Sequence, residues 1–391
     1  MKRGSGETRG GLSRSARFCA ACLAIAFGSA PAEWISGATL RFRETLRLDG
    51  LNRHDYERLE RGYYERVIRV ESGIDGSFSP RGPKRDASPF EAGPLALVTH
   101  DMREYVLKPN ISVAKWGARW TTNRFGMRDD PCTIEKPAGT FRIALVGDSI
   151  GSGWGVGDGE GFEPTLERSL SERSLAAGGP RVEILNCAVP GHAPGQRWEH
   201  FRKIGAATAP DLIVYEATLA DPGWDERRLR SVLARGLIAP GQDTPYKKAI
   251  ATARVAPGRD HDWYKEILKP YRWEILKSVY QTIANDCRTA EIPCVWVLVP
   301  RVGREGDAAE RSRLIDLARS VGFTTTLDAS NAYAGIDPGE LAIGPDDYHP
   351  NARGHKLLAK RIETLVLEDP IACELLPIEA RSTRREGGSK R

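Results

Sequence analysis

The rhythm of apolar and polar positions changes near residue 140. From Phe141 onward, short apolar and β-branched runs alternate with stretches of helical spacing. Five runs read as strands: Arg142–Val146, Val182–Asn186, Leu212–Tyr215, Val295–Val299 and Thr324–Leu327. Between them, Pro164–Leu175, Trp198–Gly205 and Arg311–Val321 carry helical patterns, the last ending at Gly322 as a C-cap. A final helix is predicted from Ala352 to Leu367, capped by Asn351, with Leu357, Leu358, Ile362, Leu365 and Val366 as its buried face. Alternating strands and helices predict an α/β fold: a parallel sheet covered on both faces, with right-handed crossovers. Ligands bind such sheets outside the carboxyl ends of the strands.

Upstream of residue 140 the pattern is different. Met1–Arg17 is basic, Phe18–Gly28 is short and apolar, and Ala30-Pro31-Ala32 offers a small-x-small cleavage site before Glu33. Residues 1–40 are therefore expected to be a signal peptide or a single membrane anchor, with the protein exported and either periplasmic or extracellular, or held at the membrane. Glu33 interrupts the apolar stretch, short of the roughly 20 clean residues of a span. Asp55–Ile68 reads as a short amphipathic helix, and Ser72–Pro94 as a loop rich in Gly, Pro and Ser. Tyr105–Asp130 carries Trp116, Trp120 and Phe125 among Thr, Asn and Gly, which suggests irregular or hairpin structure packing on a larger body. The expected division is an N-terminal extension over 41–140, a main domain over 141–370 and a basic, disordered tail over 371–391.

Composition adds exclusions. At 391 residues, 40% hydrophobic and 28% charged, the chain is an ordinary globular protein. The net charge of +5 comes largely from basic runs at the two ends, and no basic-aromatic stripe marks the body, so nucleic acid is not an expected partner. The seven cysteines are odd in number and sparse. Cys19 and Cys22 lie in the apolar targeting stretch, and Cys187 and Cys294 fall in or beside strands as buried thiols.

Two segments carry chemistry. Gly147-Asp148-Ser149-Ile150 directly follows the first strand, and Asp346-Asp347-Tyr348-His349-Pro350 opens the last helix. A serine hydroxyl is a poor nucleophile until a base takes its proton, and histidine suits that task near neutral pH. A carboxylate must then hold the ring in the right tautomer. Asp346 stands three residues before His349, close enough for one turn of chain to bring it to the ring. Rival chemistries fare worse. Gly151–Gly161 is glycine-rich after a strand, yet it has neither dinucleotide nor phosphate-loop spacing. His349 and His355 are six apart across Pro350, unlike paired ligands on one helix face. His355 is better explained as a satisfied helix residue, and neither metal nor cofactor is expected.

Phe141–Val156, Asn186–His192 and Asp346–His355 together resemble the first, second and last blocks of the SGNH/GDSL hydrolases. The resemblance covers about Phe141 to Leu367. It implies a flavodoxin-like, three-layer α/β/α sandwich with a five-stranded parallel sheet. It also implies esterase, lipase, thioesterase or carbohydrate O-deacetylase activity, or O-acyl transfer in some relatives. Carried over residue by residue, Ser149 is the nucleophile, His349 the base and Asp346 its orienting acid; the N–H groups of Ser149 and Gly191 bind the oxyanion. The expected substrate is an ester of a carbohydrate, a lipid or a small molecule. One block departs: Glu216-Ala217-Thr218-Leu219-Ala220-Asp221 puts Ala220 where the family has an asparagine donor. Three explanations are open: another side chain such as Thr218 substitutes, the enzyme runs on two donors, or the domain binds without catalysis. His192 and Trp224 are candidates to line the substrate cleft, with an exposed loop histidine and helix packing as equally weighted alternatives.

Overall fold

In the computed structural model, which describes residues 95–378 apart from 116, 117, 305, 345 and 346, two antiparallel hairpins precede the main sheet. Strand β1 (Ala96–Val98) pairs with β2 (Tyr105–Leu107), and β3 (Ser112–Lys115) pairs with β4 (Ala118–Thr121) in a register that sets Val113 opposite Trp120. The basic N-terminus, the helix expected at 55–68 and the loop at 72–94 lie outside the described residues.

All five apolar runs read as strands join one parallel sheet. They are β5 (Thr140–Val146), β6 (Arg181–Asn186), β7 (Leu212–Ala217), β8 (Cys294–Leu298) and β9 (Thr325–Asp328), in the spatial order β6-β5-β7-β8-β9. The chain leaves β5 toward β6 on one side and returns to β7 on the other. That reversal opens a crevice at the carboxyl ends of β5 and β7, where doubly wound sheets bind ligands. The helices in chain order are α1 (Phe162–Ala176), α2 (Pro194–His200), α3 (Asp221–Ala234), α4 (Lys247–Thr252), α5 (His261–Leu268), α6 (Arg272–Thr289), α7 (Ala308–Val321), α8 (Ala352–Glu368) and α9 (Pro370–Leu375).

Strand β5 shows why three layers form. Ile143 and Leu145 face a core with Phe162, Leu166, Leu358 and Ile362 from α1 and α8. Ala144 and Val146 face the opposite core with Trp198, Leu229, Ile275 and Leu314 from α2, α3, α6 and α7. A strand buried on both faces must be apolar throughout, and this one nearly is. Fully burying a side chain such as Leu358 or Ile362 contributes about 1.5–3 kcal/mol.

Helix ends fall near the sequence signals. Gly322 closes α7 in the left-handed region (φ 92°), and the Asn351 side chain accepts from the Gly354 N–H at 3.1 Å to start α8. Helix α2 begins at Pro194, earlier than the predicted Trp198, because proline fits the first helical turn; a π-helical turn over Phe201–Gly205 follows it. The tail placed at 371–391 is corrected at its start. Asp369 caps α9 by accepting from the Ala372 N–H at 2.8 Å, and Ala372, Leu376 and Ile378 are buried in the α1–α8 core. Cys187 and Cys294 are buried thiols. No helix among the described residues is long and apolar enough to cross a membrane.

Candidate active site

Ser149 stands in the turn that leaves β5, and His349 in the loop that enters α8. The Ser149 hydroxyl is 2.8 Å from His349 Nε2, across 200 residues of sequence. Both residues are nearly buried. The acid at the other ring nitrogen is Asp347: its Oδ1 accepts from His349 Nδ1 at 2.5 Å and from the His349 backbone N–H at 2.8 Å. Asp346, the acid expected from the sequence, lies outside the described residues. Asp347 can reach two places on one residue because an aspartate folds readily onto the backbone two positions ahead. A carboxylate only accepts, so it fixes the ring proton on Nδ1 and leaves Nε2 to accept the serine proton. Burial holds the His349 imidazole below its ordinary pKa; contact with Asp347 and the charge of Asp148 only partly offset this, and Arg301 adds to the lowering. The ring packs beside Tyr348 and, at a 6.0 Å centroid separation, Trp154.

The turn that presents Ser149 rests on a buried polar hub. Arg197 of α2 is almost wholly buried and fans its guanidinium over four segments. Nε donates to His192 O at 3.0 Å, Nη1 to Glu216 O at 3.0 Å and Asp221 Oδ2 at 3.2 Å, and Nη2 to Asp148 Oδ2 at 2.7 Å and Asp221 Oδ1 at 3.1 Å. Burial alone would raise the Asp148 carboxyl, but Arg197, Glu216 and the Ile150 N–H hold it below the usual carboxylate value. Glu216, on β7 directly beneath the turn, is pushed well up by burial and by the negative Asp148. It is the reason for two glycines: a Cβ at Gly147 or Gly151 would overlap the Glu216 carboxyl. Removing one partner of such a buried ionic group typically costs about 3–5 kcal/mol, because the others are left uncompensated.

Beside the serine, the groups expected from the sequence as oxyanion donors are backbone N–H groups. Among the described residues, the N–H groups of Ser149 and Gly191 donate to no protein acceptor. Gly191 takes φ 79°, a conformation that favours glycine. Ala220 sits at the N-cap of α3 and offers no side-chain donor. Thr218 does not replace it here: its hydroxyl donates to Asp221 Oδ1 at 3.0 Å, so its single hydrogen is committed. His192 is likewise corrected as a cleft-lining residue. It is 1% exposed, its Nε2 donates to the Tyr105 carbonyl at 2.9 Å, and burial keeps it neutral well below the ordinary histidine pKa. Trp224 is half-buried on the first turn of α3, with the Arg227 guanidinium 5.5 Å from its ring centroid. His355 is fully buried; its Nδ1 accepts from the Phe162 N–H at 3.1 Å, while Nε2 has no partner among the described residues.

The residues ahead of the main sheet reach this site. Glu104 is fully buried and is gripped by Arg228, Gln196 and Ser231 at 2.7, 2.9 and 3.2 Å, and by Arg235. Arg128 donates to the carbonyls of Ser152, Gly153 and Val156 in the loop after Ser149, and lies 4.0 Å from the Trp120 ring centroid. Trp120 meets Trp154 edge-on at 5.7 Å, and Trp154 neighbours His349. Asp347, Arg197, Glu216 and Tyr105 all escaped the sequence. Only Asp347 left a signal there, as the second half of an Asp-Asp doublet. Among the described residues no three His, Cys, Asp or Glu side chains gather as metal ligands.

No protein-family model matches the chain, and no curated protein matches it. Solved structures do. The structure of TesA is 15% identical, with a TM-score of 0.37, covering 57% of this chain and 97% of that one. A two-domain esterase active on acetylated mannans is 14% identical, with a TM-score of 0.36, covering 64% of this chain and 53% of that one, so the match spans about half of that esterase. The psychrotrophic esterase EstA from a Pseudoalteromonas species is 11% identical, with a TM-score of 0.36, covering 58% of this chain and 97% of that one. These likenesses fall below what would assign an activity to this chain.

Proposed function

We propose that this chain is a serine hydrolase of the SGNH/GDSL type, cleaving an ester through an acyl-enzyme. One observation carries the proposal: the Ser149 hydroxyl meets His349 Nε2 at 2.8 Å while Asp347 occupies Nδ1. In this mechanism Nε2 takes the hydroxyl proton as the serine oxygen attacks the ester carbonyl. The carbonyl oxygen, now negative, accepts from the N–H groups of Ser149 and Gly191. The imidazolium gives its proton to the leaving alcohol. Water then repeats the sequence on the acyl-enzyme and frees the acid. Neutral His349 is the competent base, which fits its lowered pKa.

The substrate proposed is an ester of a carbohydrate, a lipid or a small molecule. An alcohol replacing water in the second half would make the same site an O-acyltransferase. The alanine at position 220 favours one further reading, a module that binds esters without turning them over. Fluorophosphonate labelling separates these readings. Labelling mapped to Ser149 by mass spectrometry, with turnover of short-chain p-nitrophenyl esters, supports the enzyme. Absence of both, in protein that binds ester or carbohydrate ligands, supports the module. We further propose export, from the basic, apolar and small-residue order of residues 1–32. An intact Met1 on native protein from a soluble cytoplasmic fraction would refute that proposal.

A further inference from the structure

We infer that Tyr105, from the hairpin ahead of the main domain, is a positioning residue that locks the oxyanion peptide. The inference rests on the assignment of Ser149 as nucleophile. The Tyr105 hydroxyl donates to the Pro190 carbonyl at 2.8 Å, within a wholly buried contact. Pro190 C=O and Gly191 N–H belong to one peptide unit. The unit is planar and trans, so its C=O and N–H point in opposite directions. Holding the carbonyl on the Tyr105 side therefore aims the Gly191 N–H to the other side.

The lock answers a specific weakness. Gly191 must be glycine, because it takes φ 79° and a Cβ would stand 2.6 Å from the Tyr105 hydroxyl oxygen. Glycine, however, accepts φ of either sign with little penalty. Nothing intrinsic to position 191 stops the preceding peptide from turning over, which would present a carbonyl where a donor is needed. The neighbouring peptides are held by other bonds. The His192 N–H donates to Val189 O at 3.1 Å, and Arg197 Nε holds His192 O. Arg228 reaches the Gly191 carbonyl only at 3.4 Å. Tyr105 alone among the described residues donates to the carbonyl of the Pro190–Gly191 unit itself. Its own placement is doubly fixed, by its carbonyl accepting from His192 Nε2 at 2.9 Å and by the buried Glu104 clamp beside it. The bond matters more here than in a site with three donors, because Ala220 leaves the Gly191 N–H as one of two.

The test is Tyr105→Phe in the full chain, assayed with p-nitrophenyl acetate beside wild type and Ser149→Ala. Phenylalanine keeps the ring and removes only the donor. A misaimed oxyanion donor weakens the transition state more than substrate binding. Losing such a donor outright costs about 10²–10³ in rate, and a peptide that turns part of the time should cost roughly tenfold in kcat. The expected result is that drop, with KM within about twofold; the unpaired Pro190 carbonyl should itself lower the melting temperature by only a few degrees. Unchanged kcat in Tyr105→Phe beside an inactive Ser149→Ala overturns the lock and leaves the serine hydrolase intact. A fall in kcat matched by a comparable rise in KM overturns it too, because it reports a merely structural tyrosine. Turnover surviving in Ser149→Ala overturns the nucleophile and the lock together. A wild-type crystal structure with Ser149 trapped by a phosphonate is independent of any variant. The Gly191 N–H bonded to the phosphonyl oxygen, with Tyr105 still on Pro190 O, supports the lock; a phosphonyl oxygen held while that bond is broken overturns it.

Discussion

The proposed nucleophile half of the site and the proposed oxyanion half are held by different means. Ser149, His349 and Asp347 meet through their own side chains, over a short chain of hydrogen bonds. Gly191 offers only a backbone N–H, and the loop around it is held by Arg197 nearby in the chain and by Tyr105 and Arg228 far away in it. Side-chain chemistry is specified by residue identity at the site. Backbone chemistry is specified by whatever holds the loop, and those holders carry no catalytic signature of their own.

The largest effect should separate the halves at once. Ser149→Ala is expected to lower kcat by roughly 10⁴ or more, measured on an activated ester, because triad members act as a unit. Near-normal turnover would mean that the side-chain half is not the catalytic one. Asp347→Asn should come next. An asparagine can offer an amide hydrogen to Nδ1 and favour the wrong tautomer, with a loss of about 10²–10⁴ in kcat. Asp346→Asn should stay within about threefold of wild type under the same assay. The reverse ranking would return the role to Asp346.

A gain sharpens the comparison from the other side. Ala220→Asn adds a donor beside the two backbone N–H groups, and kcat should rise by at most about tenfold, equivalent to about 1.4 kcal/mol. Loss of rate in a well-folded variant would show that this position cannot aim at the oxyanion. The smallest effect is a displaced pH profile. Burial lowers the His349 imidazole below the ordinary histidine value of about 6.5. Its neutral form is the competent one, so kcat/KM should rise with pH to a plateau, with its midpoint below 6.5. A midpoint at or above 6.5 would contradict the burial described. In Asp347→Asn the midpoint should move lower still, because a contact that raises the pKa has gone.

The same contrast explains what the sequence could disclose. The five strands were legible because a sheet buried on both faces demands apolar, β-branched runs, and β5 to β9 supply them. Ser149 and His349 were legible because their residue types are their chemistry. Asp347 was not singled out because spacing alone cannot choose between adjacent aspartates; what places it at the ring is a turn that also captures the His349 N–H. Thr218 and His192 carried suitable groups, yet Asp221 and the Tyr105 carbonyl had already claimed them. Arg197 was invisible because its role is to satisfy four segments that only the fold brings together.

The 200 residues between Ser149 and His349 bear on how the protein comes into being. Chains are made and begin to fold from the N-terminus. All five strands of the sheet have left the synthetic machinery once Asp328 has, and the parallel sheet can then pair in full. His349 arrives about twenty residues later, and its loop is anchored only when α8 docks. A nascent or prematurely terminated chain can thus own a finished sheet and an exposed Ser149 that is no more reactive than an ordinary alcohol. Strand pairing can thus precede both the covering layer that α8 adds and the histidine that enters with it.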